Sequence, residues 1–249
     1  MIKFACPYCY RELFKEYHIE CDFYVIKHIS GILELHRSGS SWEECLEQNR
    51  ASARAAKDYR SKLSPEAVVE VPSHVSIDIM ETSLTFLRPV EGKVVLDLGG
   101  SNGWAVKRLL KEGAAEGYVI DINADNLPLP EENLTCVVGN GYHLPFVSNQ
   151  FDIVFESATL HHFEDVPAVL RQIRRVLKPG GIYLSQGNPP RSEQASEDTD
   201  RIMYMEKFGL IETMPKRSEY TKYFEEVFGS VTFVPVGYNM IMYALKEQA

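Results

Sequence analysis

Val94-Val-Leu-Asp-Leu-Gly-Gly-Ser-Asn-Gly-Trp-Ala105 decides how the rest of the chain is read. Val94 to Leu96 are consecutive residues of buried type, as in a central parallel strand. The chain then turns through Gly99, Gly100, Ser101, Asn102 and Gly103. Trp104, Ala105, Val106, Leu109 and Leu110 fall on one apolar helical stripe. Strand, glycine turn and helix make the nucleotide pocket of a doubly wound sheet, because glycines admit a ligand to the backbone and the helix N-terminus points at it. An ordinary strand-to-helix turn has the same outline. The dinucleotide fingerprint requires a further glycine two residues on, and here Trp104 and Ala105 follow Gly103. Asp97 adds a carboxylate at the strand end, which suits a ligand carrying an amino group and would repel a pyrophosphate.

Working outward, Gly117-Tyr-Val-Ile-Asp121 reads as a second strand ending in an acid, about 20 residues beyond the glycines. That is the spacing of a carboxylate that accepts from both hydroxyls of a ribose. Leu134 to Val138 and Phe151 to Phe155 are further short strands, and Ile182 to Ser185 begins another. Between them Asp165 caps a helix whose Val166, Val169, Leu170, Ile173, Val176 and Leu177 recur at helical spacing. Lys178-Pro-Gly-Gly181 stops it. Ser218 to Phe228 is a helix, and Val231 to Val236 and Asn239 to Leu245 are closing strands expected as an antiparallel pair at the sheet edge.

Three stretches resemble the class I S-adenosylmethionine-dependent methyltransferases. Asp97-Leu-Gly99-Gly-Ser101-Asn-Gly103 is similar to their first motif, with small Ser101 where the middle glycine is usual. Gly139-Asn-Gly-Tyr-His-Leu-Pro-Phe146 resembles their Gly-Asp-Ala-x-x-Leu-Pro-Phe motif. Asn140 replaces the acid that contacts the adenine amino group, and its side-chain oxygen can still accept. Phe151-Asp-Ile-Val154, Leu160-His-His162 and Arg175-Val-Leu-Lys-Pro-Gly-Gly181 make the most specific match. The resemblance implies an α/β, doubly wound, mostly parallel seven-stranded sheet with an antiparallel edge pair, over residues 74–249. It implies cofactor contacts from Asp97, Gly99, Gly100, Ser101, Gly103, Asp121, Ile122 against the adenine, Asn140, Gly141 and Glu156. A sulfonium cofactor is already activated, so orientation of the acceptor dominates and a general base is needed only where the acceptor must lose a proton. His161, His162 and His143 are the candidates for that base, the first two belonging to the family block in any case.

The first forty residues differ from the rest and are expected to form a small β-hairpin, zinc-ribbon-like module. Cys6-Pro-Tyr-Cys9 has the spacing of a zinc knuckle and Cys21 follows, but Tyr24 stands where a fourth cysteine belongs. His18, Asp22 or His28 would complete a site, and a hairpin without metal is the competing expectation. Such modules resemble those in front of some methyltransferases and of ribosomal RNA guanine methyltransferases. Ser41-Trp-Glu-Glu44 is a capping box opening a connecting helix to about Leu63, within residues 41–73, expected to pack on the domain, with Tyr59 reaching the cofactor as the alternative. A second helix runs from Val75 to Leu87. Residues 186–217 change composition, and Met203, Tyr204, Met205, Phe208, Leu210 and Met214 make them an acceptor-binding insert or a packed crossover.

The 249 residues carry 26 Lys and Arg against 35 Asp and Glu, a formal charge of −9, so indiscriminate binding to nucleic-acid backbone is disfavoured. Arg171, Arg174, Arg175 and Lys178 are a local basic cluster. No apolar run reaches membrane-spanning length, the start lacks the apolar core of a signal peptide, and the odd count of five cysteines fits a reducing compartment, so a cytoplasmic location is expected. The leading expectation is methyl transfer to a small organic molecule. Methylation of RNA, with the cysteine module touching substrate, and a non-catalytic cofactor-binding scaffold are the alternatives.

Overall fold

The computed structural model describes Phe4, residues 79–188, 190, 213–237 and 239–248, together with the backbone of 17–18, 23–27, 33–37 and 74–78. Cys6, Cys9, Cys21, Asp22, His28, the 41–63 helix with Tyr59, and Met203 to Leu210 lie outside the described residues.

Three short strands come first, β1 (Tyr17–His18), β2 (Phe23–Lys27) and β3 (Leu33–Arg37). Helix α1 (His74–Leu87) leads to β4 (Val94–Leu98), α2 (Trp104–Lys111), β5 (Glu116–Asp121) and β6 (Leu134–Val138). Strand β7 (Phe151–Ser157), α3 (Val166–Val176) and β8 (Leu177–Gln186) follow, then α4 (Arg217–Phe228), β9 (Thr232–Val236) and β10 (Asn239–Leu245). No helix among the described residues is long and apolar enough to cross a membrane.

The strands lie in the order β1-β2-β3-β6-β5-β4-β7-β8-β10-β9. From β6 to β9 this is the expected seven-stranded sheet, parallel except where β10 pairs antiparallel with both β8 and β9. The hairpin β2–β3 is antiparallel, as the sequence suggests, but it does not stop at itself. Strand β3 pairs in parallel with β6, so the hairpin extends the main sheet. Beyond the N-terminal strands, β8 starts earlier than the sequence indicates: Leu177 already pairs with Phe151, and after an irregularity Ile182 resumes against Ile153.

The sheet is covered on both faces, which is why its central strands are apolar without alternation. On one face Ile79, Met80, Leu84 and Leu87 of α1, with Ala105 and Leu109 of α2, pack on Val95, Ile153, Phe155 and Leu184. On the other, Val166, Val169, Leu170 and Ile173 of α3 join Tyr220, Phe224 and Phe228 of α4 over Leu96, Val154 and Tyr183. Tyr220, Phe224 and Phe228 recur every four residues, and the rings of Phe224 and Phe228 stack on Tyr183 at 5.6 and 5.9 Å. Asp165 does cap α3, its Oδ1 accepting from Ala168 N at 2.9 Å.

Strand β4 has β5 on one side and β7 on the other, so the direction of winding reverses at its edges. In an open α/β sheet ligands bind beyond the carboxyl ends of the strands at such a reversal. Gly99 to Gly103, Asp121 and Ser157 to Thr159 are therefore brought to one crevice.

Candidate cofactor site

The glycine turn is fixed by its own backbone and by two neighbours. Gly99 and Gly100 donate to Ile120 O at 2.8 and 3.3 Å, tying the turn to β5. Gly99 has φ 66 and its missing side chain leaves room for Thr159, whose Oγ1 donates to Gly99 O at 3.4 Å. A Cβ there would collide with the Thr159 side chain. Ser101 holds φ 46, a left-handed conformation that costs an L-residue about 1–2 kcal/mol and that glycine adopts freely. Asn102 Oδ1 accepts from Trp104 N at 3.2 Å, and Gly103 at φ 72 turns the chain into α2.

Asp121, at the end of β5, faces this turn. Its Oδ2 accepts from Ser101 N at 3.1 Å and its Oδ1 from Asn123 N at 2.9 Å. Each carboxylate oxygen has further lone pairs directed beyond these bonds. Burial raises the Asp121 pKa, against the lowering effect of the backbone donors Asn123, Ser101 and Ile122. Ile122 beside it is half-buried against Val119, Cys136 and Val138. Across β5, Asn140 caps the turn Gly141–His143, its Oδ1 accepting from Tyr142 N at 2.9 Å. Gly141 lies so close to the Phe163 ring that a Cβ would come within 2.6 Å of Cζ. Tyr142 meets that ring edge-on at 5.2 Å and accepts from Asp165 N through its hydroxyl at 3.0 Å.

Asp97 and Glu156 take places that their position at strand ends does not suggest. Asp97 is 1% exposed and turns beneath the glycines, its Oδ2 accepting from Val106 N at 3.2 Å in the first turn of α2. The sequence suggests a carboxylate offered to a ligand amino group; here it is enclosed by the turn it holds. Glu156 is fully buried. Its Oε2 accepts from Thr159 N and Leu160 N at 3.0 and 3.3 Å, and its Oε1 from Asn188 Nδ2 at 2.6 Å. Burial pushes the Asp97 pKa up to about 7, with Asp121 and Glu156 adding repulsion and the Val106 N–H opposing. Burial also lifts Glu156 to about 7, against its Ser185, Thr159, Leu160 and Asn188 hydrogen bonds. Asp121 and Glu156 both repel Asp97, so a positive charge entering the crevice would favour the ionised carboxylates beneath it.

The histidines separate. His161 is buried, with Nδ1 2.7 Å from Asn188 Oδ1, and its ring centroid is 4.2 Å from that of the less buried His162. Thr213 N and Oγ1 donate to His161 O at 2.8 and 3.0 Å, bringing the described end of the insert over this turn, where Met214 is buried. His143 belongs to the turn after Asn140, beyond β6. Sequence reading misses Thr159, which keys into Gly99, and Asn188, which joins Glu156 to His161. Asn188 sits in a stretch of altered composition with no periodic pattern, and its partners are 27 and 32 residues away.

A cleft at the opposite ends of the strands is lined by Arg88, Lys93, Asp152 and Lys178 among others. It has a Lys178–Asp152 ion pair at 2.7 Å but neither the glycine turn nor the strand carboxyl ends. No group of three or more His, Cys, Asp or Glu suited to a metal occurs among the described residues.

Residues 96–185 match the family model described as a methyltransferase domain. The chain is 29% identical over 170 residues to the mitochondrial arginine-hydroxylase NDUFAF5 of Danio rerio, covering 64% of this chain and 50% of that protein. It is 40% identical over 101 residues to the ubiquinone/menaquinone biosynthesis C-methyltransferase UbiE of Stenotrophomonas maltophilia, covering 36% and 40%. The chain thus spans half or less of these relatives' lengths. A putative methyltransferase solved in complex with the Haloferax volcanii Trm112 methyltransferase activator gives a TM-score of 0.59 at 18% identity, over 80% of this chain and 98% of that one. Haemonchus contortus phosphoethanolamine N-methyltransferase 2, solved with S-adenosyl-L-methionine, gives 0.60 at 14% identity, over 69% and 53%. At these identities the likeness is one of fold.

Proposed function

We propose that residues 74–248, which share the methyltransferase fold and match the methyltransferase-domain model over 96–185, form a class I methyltransferase domain that transfers a methyl group from S-adenosylmethionine to a small organic acceptor. The observation that carries the reading is Asp121. It ends β5, beside the strand-order reversal at β4, and the lone pairs that its backbone donors Ser101, Asn123 and Ile122 do not use are acceptor capacity for the two hydroxyls of a ribose. The residues fit the cofactor in charge as well, because the crevice rests on Asp97, Asp121 and Glu156 and a sulfonium is cationic. Asn140 and Ile122 flank the position of the base, and Gly141 lets the Phe163 ring pack against the turn beside it.

When bound, the sulfonium supplies an activated methyl. The chain's own part is to bind and orient. Asp97 and Glu156 hold the two loops that shape the crevice, Asp121 grips the ribose, and the His161 turn with Thr213 and Met214 borders the acceptor side. His161 is the base candidate that the surroundings orient, through Asn188. The formal charge of −9 and the quinone methyltransferases among the relatives favour a small acceptor over RNA.

Calorimetric titration with S-adenosylmethionine and S-adenosylhomocysteine tests the reading, with zinc content of the same sample measured for Cys6, Cys9 and Cys21. Micromolar binding followed by methyl transfer to a quinone-like or other small acceptor is expected. Binding with transfer only to RNA would replace the acceptor class. Absence of binding would leave a non-catalytic scaffold. A second reading is favoured by a match over 170 residues to an arginine-hydroxylase. On that reading the product gains the mass of an oxygen on an arginine side chain rather than that of a methylene, and mass spectrometry separates the two.

A further inference from the structure

Among the described residues, those before 40 meet the domain at the two ends of the loop that follows β6. Strand β3 pairs with the last two residues of β6, Leu33 with Val137 and Glu34 with Val138. The next residues are Gly139, Asn140 and Gly141, which border the proposed adenine position. The loop ends at Phe146, where Phe4 forms an antiparallel bridge and its ring lies 5.5 Å from the Phe146 ring. Phe146 is fully buried and is itself wedged between Tyr118 and Phe151, at 6.1 and 5.0 Å. One end of the loop is therefore held by a backbone ladder and the other by an aromatic contact, both from residues before 40, and at the second end Arg175 of α3 also donates to Leu144 O and Phe146 O at 2.8 and 2.6 Å.

Without β3, strand β6 would be the edge of the sheet, with a row of unpaired backbone groups. Its side chains are buried on both faces, Leu134, Cys136 and Val138 on one and Val137 on the other, so burial and the ladder with β5 anchor the strand without β3. What β3 adds falls at the C-terminal end, next to the loop. Local opening is set by just such terminal backbone pairing, because the terminal residues of a strand have the fewest contacts.

We propose that the N-terminal segment is a built-in positioning element for the cofactor site, clamping residues 139–145 from both ends through the β3–β6 ladder and the Phe4–Phe146 contact. The segment acts through Asn140 and Gly141 and touches no reacting atom. The cofactor arm of this inference rests on the proposed function; the loop arm does not.

The test uses the full chain. Glu34→Pro interrupts β3, and Phe4→Ala removes the aromatic hold while leaving the strands intact. Hydrogen exchange of the amides of 137–146 is compared with that of β4 and β8, and S-adenosylmethionine affinity is titrated. Faster exchange confined to 137–146, with affinity down about tenfold in either variant, is the expected result. Where Glu34→Pro does not fold, Phe4→Ala carries the test. Unchanged exchange in 137–146 overturns the proposal, as does faster exchange spread equally over β4 and β8, and so does local loosening with unchanged affinity. If the unaltered chain binds no cofactor, the functional reading fails separately, and local loosening in the variants still supports the clamp.

Discussion

Asn188 Nδ2 donates to Glu156 Oε1 at 2.6 Å, and this bond orients a fully buried amide. The same nitrogen also reaches Ser185 Oγ and Gln186 O, each at 3.0 Å, so the amide oxygen is the atom turned to His161. The oxygen can only accept, which puts the proton of neutral His161 on Nδ1. Nitrogen-15 chemical shifts of the imidazole are expected to report the Nδ1–H tautomer. The Nε2–H form would reject this orientation of Asn188.

Asn188→Leu keeps much of the volume and removes the bonds to Glu156, His161, Ser185 and Gln186. Glu156 loses its Oε1 donor and His161 its Nδ1 acceptor, in a site closed to water. Leaving buried polar groups unpaired costs roughly 1–3 kcal/mol each, so a loss of about 3 kcal/mol in denaturant unfolding is expected. An unchanged midpoint would show that the two groups find other partners.

Asp121→Asn tests the ribose grip with little change of shape. The amide retains one acceptor for the Ser101 or Asn123 N–H and loses the charge. Hydrogen bonds to a charged group contribute about 1.5–3 kcal/mol, so S-adenosylmethionine affinity is expected to fall by more than tenfold, with the melting temperature lowered by the backbone N–H that the amide nitrogen leaves without an acceptor. Equal affinity in a calorimetric titration would place the ribose elsewhere.

Ser101→Gly removes a left-handed serine. The relief of about 1–2 kcal/mol is partly offset by the greater freedom of glycine in the unfolded chain, about 0.5–1 kcal/mol. A net gain of about 0.5 kcal/mol is expected in thermal unfolding, with cofactor affinity retained or raised. Loss of stability would mean that the Ser101 side chain supports the turn.

These residues also show where the sequence is legible. The turn after β4, the acid ending β5 and the apolar stripe of α3 are local patterns, each set by a period or a spacing within one or two elements, and they stand where expected. The inward turn of Asp97 is not local, because it depends on Gly100 leaving space above the carboxylate and on Val106 N lying within reach. Asn188 owes its role to partners on two other elements. The β3–β6 ladder joins residues about a hundred positions apart and leaves no periodic trace in either strand.

The carboxylate cluster fixes a pH dependence with a definite sign. Asp97 rises from 3.8 to about 7 and Glu156 from 4.5 to about 7 on folding, both mainly through burial. Between those limits the folded chain holds protons that the unfolded chain has released. Unfolding there releases protons, so raising the pH favours it, and the stabilising effect of protonation is complete near pH 4 and gone above pH 7. For Asp97 alone the difference has an upper bound of about 4 kcal/mol. Asp152 and Glu112 shift downward and act in the opposite direction, but below about pH 4.5, outside most of this window. Denaturant midpoints measured from pH 5 to 8 are therefore expected to fall, and Asp97→Asn, which keeps an acceptor for Val106 N, is expected to flatten the slope. A cationic ligand reverses the preference by favouring the ionised carboxylates. S-adenosylmethionine is expected to bind more tightly as pH rises through about 7, releasing protons, and to gain more than S-adenosylhomocysteine, which lacks the sulfonium charge. Titrations in buffers of different ionisation enthalpy would measure the released protons; equal pH dependence for the two ligands would show that the carboxylates do not sense the sulfonium.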